Sequence, residues 1–120
     1  SRRCRVSNAD AKVEFISNDG IIEVRYFDNP KDDLCRHWKL PEDIARNLIS
    51  WWIELKKNEK IIFPLTERSK KCEFAMLSDK CVDIKALDCR GRPAMTGWSL
   101  PVVAVEQLLI WQKGEVKRQE

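Results

Sequence analysis

The chain matches itself at an offset of sixty residues. Asp19, Asp28, Trp38, Leu40, Pro41, Leu48 and Trp51 fall on Asp79, Asp88, Trp98, Leu100, Pro101, Leu108 and Trp111. These are seven identities over positions 18 to 51, where random pairing gives about two, and two of them are tryptophan pairs. Conservative pairs fill the spaces between, such as Val24 with Ile84, Arg25 with Lys85 and Ile49 with Leu109. Upstream the offset becomes 59, which pairs Glu14-Phe15 with Glu73-Phe74, so one hairpin differs by a single residue. With 120 residues in all, this predicts one domain, 1–120, made of two repeats, 1–60 and 61–120.

Each repeat reads as strands followed by a helix. Alternation in Lys12 to Ile16 and in Ile22 to Tyr26, around Asn18-Asp19-Gly20, predicts a hairpin of half-buried strands. Arg3 to Val6, aligned with Ile62 to Leu65, predicts a first strand, with Pro64 at an edge or strand end. Leu34 to Leu40 and Ala94 to Leu100 have room for a short fourth strand before the shared Trp-x-Leu-Pro. Pro41 and Pro101 suit a first helical position, and Glu42 and Asp43 suit the positive end of a helix.

Two adjacent apolar stripes mark each helix. Ile44, Leu48, Trp51 and Leu55 form one and Ala45 and Ile49 the other, with mates in Ala104, Leu108, Trp111, Val105 and Leu109. So broad a face must meet something besides its own sheet, and about sixty residues are marginal for a separate core. The expected fold is therefore α+β, a tandem pseudo-symmetric repeat of a three- to four-stranded antiparallel sheet plus one helix, with the helices packed together. Trp52 and Ile53 align with the polar Gln112 and Lys113. They are the candidates for an outward protein interface on helix 41–58, joining a partner protein or a second copy, against the alternative that they pack beneath a loop.

The segments VEFISNDGIIEVRYFD and WKLPEDIARNLISWW, answered by CEFAMLSDKCVDIKALD and WSLPVVAVEQLLIW, carry a further likeness. Their order of strands and helix resembles the ββββα unit of the Whirly, Pur-alpha and positive-cofactor-four families, the last of which joins two such units from separate chains helix to helix. The resemblance lies in element order and hydrophobic rhythm, and no diagnostic Whirly or Pur motif is present. It implies non-catalytic binding of single-stranded DNA or RNA across the sheet and its loops.

Charge permits such a partner without demanding one. Twenty-two Lys and Arg against nineteen Asp and Glu leave a net charge of +3 and a pI near 8.6, below the roughly 9 of strongly basic nucleic-acid domains. On the strand faces Glu14, Glu23, Glu73 and Asp83 sit beside Arg25 and Lys85, a pattern of cross-strand pairs on a solvated face. The candidate nucleic-acid contacts are therefore the first strands and loops: Arg3, Arg5 and Lys12; Arg36, Trp38 and Lys39; Lys70 and Lys71; Arg90, Arg92 and Trp98. Trp38 and Trp98 are equally readable as core plugs that both repeats need.

Five cysteines raise disulfides or zinc, yet there is no C-x-x-C, and the count is odd. Cys4, Cys35, Cys72 and Cys81 align with Phe63, Met95, Val13 and Ile21, so they read as core fillers. Cys89 aligns with Asn29 in a loop and is the expected exposed thiol. An intracellular, reducing compartment suits this usage. A zinc site from Cys35, His37, Cys81 and Cys89 lacks any spacing signature, so neither metal nor cofactor is expected. His37 is the sole histidine, Asp32-Asp33 reads as a turn doublet, and the four glycines are scattered, so no enzyme is expected. The longest apolar runs, such as Val102 to Val105, fall far short of the roughly 20 residues of a membrane span, and no charged-then-apolar leader opens the chain as given.

Overall fold

The computed structural model describes residues 2–8, 11–27, 36–58 and 60–119, and side chains over 12–27, 36–58 and 60–114. It is an α+β fold with two antiparallel sheets and two helices. Strands β1 (Arg2–Asn8), β2 (Ala11–Asn18), β3 (Ile21–Phe27) and β4 (Arg36–Pro41) form one sheet in that order and lead into α1 (Glu42–Lys56). Strands β5 (Leu65–Arg68), β6 (Cys72–Met76), β7 (Cys81–Leu87) and β8 (Pro93–Pro101) form the second and lead into α2 (Val102–Gln119).

The β2–β3 hairpin follows from its turn. Asp19 and Gly20 both take positive φ, 53° and 77°, the two-residue geometry whose twist matches the flanking strands. Pro41 and Pro101 close β4 and β8, one position before the helical start expected for them, paired with Ile21 and Cys81. The first helical N–H groups then donate to the preceding hairpin turns, Glu42 N to Gly20 O and Val102 N to Lys80 O, each at 2.9 Å. Asp43 Oδ1 takes a further end amide, that of Ile44, at 2.8 Å.

The expected strand at Ile62 to Leu65 is displaced. β5 begins only at Leu65, after Pro64, which has no N–H to give a ladder, and Ile62 is exposed. Cys81 is also corrected: it and its mate Ile21 lie on outward rungs, Cys81 half-buried 3.0 Å from Ser99 Oγ and Ile21 exposed. Cys72 is buried and Cys89 exposed, whereas Cys35 and the Cys4 side chain lie outside the described residues.

The chain forms two compact units, Ser1–Glu42 with Glu106–Glu120, and Asp43–Val105. In the first, Val13, Phe15, Ile22, Val24 and Leu40 bury one face of the sheet, and Trp111 of α2 stacks on Phe15 with ring centroids 5.5 Å apart. In the second, Cys72, Phe74, Met76, Val82, Ile84 and Leu100 are buried, and Trp51 of α1 stacks on Phe74 at 4.6 Å and 7°. Thus α1 follows the first sheet in sequence yet belongs with the second, and the body of α2 belongs with the first.

β7 leaves no room for a side chain at Gly97 of β8. A Cβ on Gly97 would stand 2.9 Å from the Ile84 carbonyl oxygen, a backbone atom that cannot swing aside. Gly97→Ala is expected to cost about 1–3 kcal/mol of stability, read as a lower urea midpoint with an unchanged slope. An unchanged midpoint would mean that these strands separate without cost. Below Gly97 the register jumps from Lys85–Gly97 to Leu87–Pro93, and the resulting bulge on β8 carries Met95 into solvent.

Candidate nucleic-acid interface

In the unit of β5 to β8, the β5–β6 and β7–β8 turns lie at one end of the sheet. Ser69 and Cys72 close the first turn, with Ser69 N donating to Cys72 O at 2.8 Å and Cys72 N donating to Ser69 Oγ at 3.2 Å. Lys70 and Lys71 occupy its centre and are exposed. The second turn is organised by Asp88, whose Oδ1 accepts the Arg90 and Arg92 amides at 2.9 Å each while its own N–H donates to Arg92 O at 2.9 Å. Gly91, at φ 77°, supplies the left-handed residue between the two arginines.

Two hydrogen bonds fasten these turns together. Leu87 N donates to Lys71 O at 2.8 Å, and Arg68 Nη1 donates to Gly91 O at 3.2 Å. Four of the expected contacts, Lys70, Lys71, Arg90 and Arg92, are thereby gathered at one sheet end. Of the nearby carboxylates, Asp88 is committed to backbone amides and Glu73 to Arg68 Nη2 at 3.3 Å, whereas Asp43 pairs with one of the four cations, Lys71, whose Nζ lies 3.0 Å away. The Lys71 hydrogen bond holds the Asp43 carboxyl below the usual aspartate range, a little offset by desolvation. As an exposed pair it contributes little to stability and leaves the lysine available to a phosphate.

The other unit carries cations beside aromatic rings. The Arg36 guanidinium lies 4.9 Å from the Tyr26 ring centroid and 6.0 Å from that of Trp38, and Lys12 Nζ lies 4.3 Å from that of Phe27. β3–β4 pairing sets the first group, because Tyr26 stands opposite Arg36 and Val24 opposite Trp38. Lys39 is exposed on the other face, opposite Glu23. Arg3 and Arg5 lie on β1 opposite Ile16 and Glu14, and their side chains lie outside the described residues. Trp98 occupies the equivalent rung of the second sheet, opposite Ile84, and both Trp38 and Trp98 are half-buried. Each therefore combines core packing with a remaining accessible edge.

The strand faces carry acid–base neighbours in contact. Arg25 Nε meets Glu23 Oε1 at 3.2 Å along one strand instead of across two, and Glu14, expected on a solvated face, is only 2% exposed and stands between Arg5 and Arg25 in register. Trp52, expected to face outwards, is instead 4% exposed with Lys56 Nζ 5.2 Å from its ring centroid, and Ile53 is half-buried. The contacts of Tyr26, Phe27, Arg68 and Asp88 depend on strand register and turn geometry, which a sequence does not display. Among the described residues no group of three His, Cys, Asp or Glu is placed to hold a metal ion, and no helix is long and apolar enough to cross a membrane. Asp32 and Asp33 lie outside the described residues. No protein-family model matches the chain, and no curated protein or solved structure matches it.

Proposed function

We propose that the chain is a non-catalytic module for single-stranded nucleic acid, built from two pseudo-symmetric copies of one ββββα unit. The carrying observation is the basic sheet end, where the Lys70-Lys71 and Arg90-Gly91-Arg92 turns are tied by the Lys71 and Gly91 carbonyls while Asp88 and Glu73 are engaged by backbone amides and by Arg68, and Asp43 makes an exposed pair with Lys71. Cations carried on turns fastened to each other suit successive phosphates of a strand, and in the other unit, taken by itself, the Tyr26, Arg36 and Trp38 group offers a stacking surface of the kind that sequence-tolerant binding uses. Support for two copies comes from strand register. Ile22 opposes Leu40 and Val24 opposes Trp38, as Val82 opposes Leu100 and Ile84 opposes Trp98, each pair sixty residues on. An intracellular, reducing compartment fits an exposed thiol at Cys89 directly beside Arg90.

The protein-docking alternative loses its principal surface residue with the burial of Trp52. Titration with an unlabelled single-stranded oligonucleotide, followed by tryptophan fluorescence at low salt, tests the reading. Saturable quenching at micromolar protein is expected, and its absence would overturn the proposal.

A further inference from the structure

The edge strands of the two sheets differ in charge. β1 carries three arginines, β4 Arg36 and Lys39, and β5 Glu67 and Arg68, whereas none of the nine residues of β8, Pro93 to Pro101, is charged. Unpaired N–H and C=O groups make an edge a template for another strand, and a charged side chain on it is a common guard. β4 gives the direct comparison, because its Arg36 and Lys39 align with Thr96 and Ser99, sixty residues on.

Register shows which backbone groups of β8 are open. Val102 N donates to Lys80 O, the bond that flanks a non-hydrogen-bonded rung, so Cys81–Pro101 is such a rung. By alternation Asp83–Ser99 and Lys85–Gly97 are non-hydrogen-bonded too, and Gly97 and Ser99 turn their N–H and C=O groups away from β7. Both residues are exposed, and among the described residues no turn, loop or cap backbone bond reaches either. The register irregularity of β8 lies before Gly97, so regular pairing runs from there to Pro101.

These two residues flank Trp98, and that spacing is self-complementary. A two-fold axis at Trp98 sets Gly97 opposite Ser99 of a second copy, and their outward groups then make both pairs of ladder hydrogen bonds. Trp98 meets its own mate across a non-hydrogen-bonded rung, where side chains lie closest and an aromatic pair is favourable. It is half-buried, so the pairing covers surface that its own sheet leaves open. Charge supports the same arrangement. Antiparallel joining sends the Lys70, Lys71, Arg90 and Arg92 turns of the two copies to opposite ends of the joined sheet, and no like charges meet on the shared rungs.

We infer that β8 is a self-association edge, through which two copies of this chain join their four-stranded β5–β8 sheets antiparallel into one continuous sheet. The shared ladder is short, so the association is weak and depends on concentration.

Sedimentation equilibrium of the full chain, without nucleic acid, tests this. The mean mass is expected to rise from the 14.1 kDa of one chain towards twice that value between low micromolar and high micromolar protein. Over the same range, hydrogen exchange is expected to slow at the Gly97 and Ser99 amides and to stay unchanged at that of Lys39. The Thr96→Arg, Ser99→Lys variant, which gives β8 the guarding residues of β4, is expected to keep the mass of one chain throughout. Ile62→Ser, at an exposed residue before the opposite edge strand, is expected to associate like the parent. A parent mass that stays at one chain across the range would overturn the inference. A dimer that persists in the double variant, or that forms without slowing exchange at Gly97 and Ser99, would overturn it as well.

Discussion

Replacing Phe15 by alanine is expected to lower the free energy of unfolding by about 3–5 kcal/mol, a large part of the 5–15 kcal/mol typical of a folded protein. Phe15 is 0% exposed, stands on β2 opposite both Cys4 and Val24, and carries the Trp111 indole on its ring. Removing it deletes apolar burial and leaves a cavity that the two neighbouring strands, held by their ladders, cannot fill. Phe74→Ala carries the same expectation through its stack with Trp51. The sharper measurement is a double-mutant cycle between Phe15 and Trp111, for which stacked rings predict a coupling of about 0.5–1.5 kcal/mol beyond additive losses. Strict additivity would remove α2 from the first sheet. Urea unfolding of the four proteins in the cycle decides it.

That pairing was beyond the reach of sequence. Periodicity showed that Ile44, Leu48, Trp51 and Leu55 form a buried stripe, and it showed that the stripe is too broad for one sheet. An amphipathic pattern records that a face leaves water without naming what it meets, so it does not assign α1 to the unit of β5 to β8, where it lies. Local chemistry was more legible. Asn18-Asp19-Gly20 has the residues that a tight hairpin demands, and the alternation on either side fixed which side chains face the core. Pro64 stands just before β5 and not within a strand, since an edge-strand proline and a proline preceding a strand look alike in sequence, and Cys81 faces outward because the isoleucine it aligns with, Ile21, is itself exposed.

The candidate interface divides along the same line. Lys70, Lys71, Arg90 and Arg92 were visible as cations in turns, a reading that needs only composition and breakers. Their convergence depends on antiparallel order placing two turns at one sheet end, and on Asp88 spending its carboxylate on backbone amides instead of on the arginines. Arg36 and Tyr26 were invisible as a pair because nine residues separate them and only the β3–β4 register brings them opposite.

Neutralising the basic turns is expected to flatten the salt dependence of oligonucleotide binding. Each phosphate neutralised on a single strand contributes about −0.7 to the slope of log K against log salt, so four contacts contribute about −2.8. Over a fourfold rise in salt that slope corresponds to roughly a 50-fold loss of affinity in the parent chain. The Lys70→Gln, Lys71→Gln, Arg90→Gln, Arg92→Gln variant is expected to lose this share of the slope and to bind far more weakly at low salt. Its fold should persist, because the second turn is held by the Asp88 carboxylate and by backbone amides that these substitutions leave in place. Arg68, which holds the Gly91 carbonyl, is kept. Asp43 loses its lysine partner but still caps the Ile44 amide at the positive end of α1, where a carboxylate is favoured without a counterion. Lys80 is the control: it is exposed in the β6–β7 turn at the opposite end of the same sheet, and Lys80→Gln is expected to leave the slope nearly unchanged. Equal effects of Lys80→Gln and Arg92→Gln would show that binding follows net charge alone and that the basic end holds no particular strand.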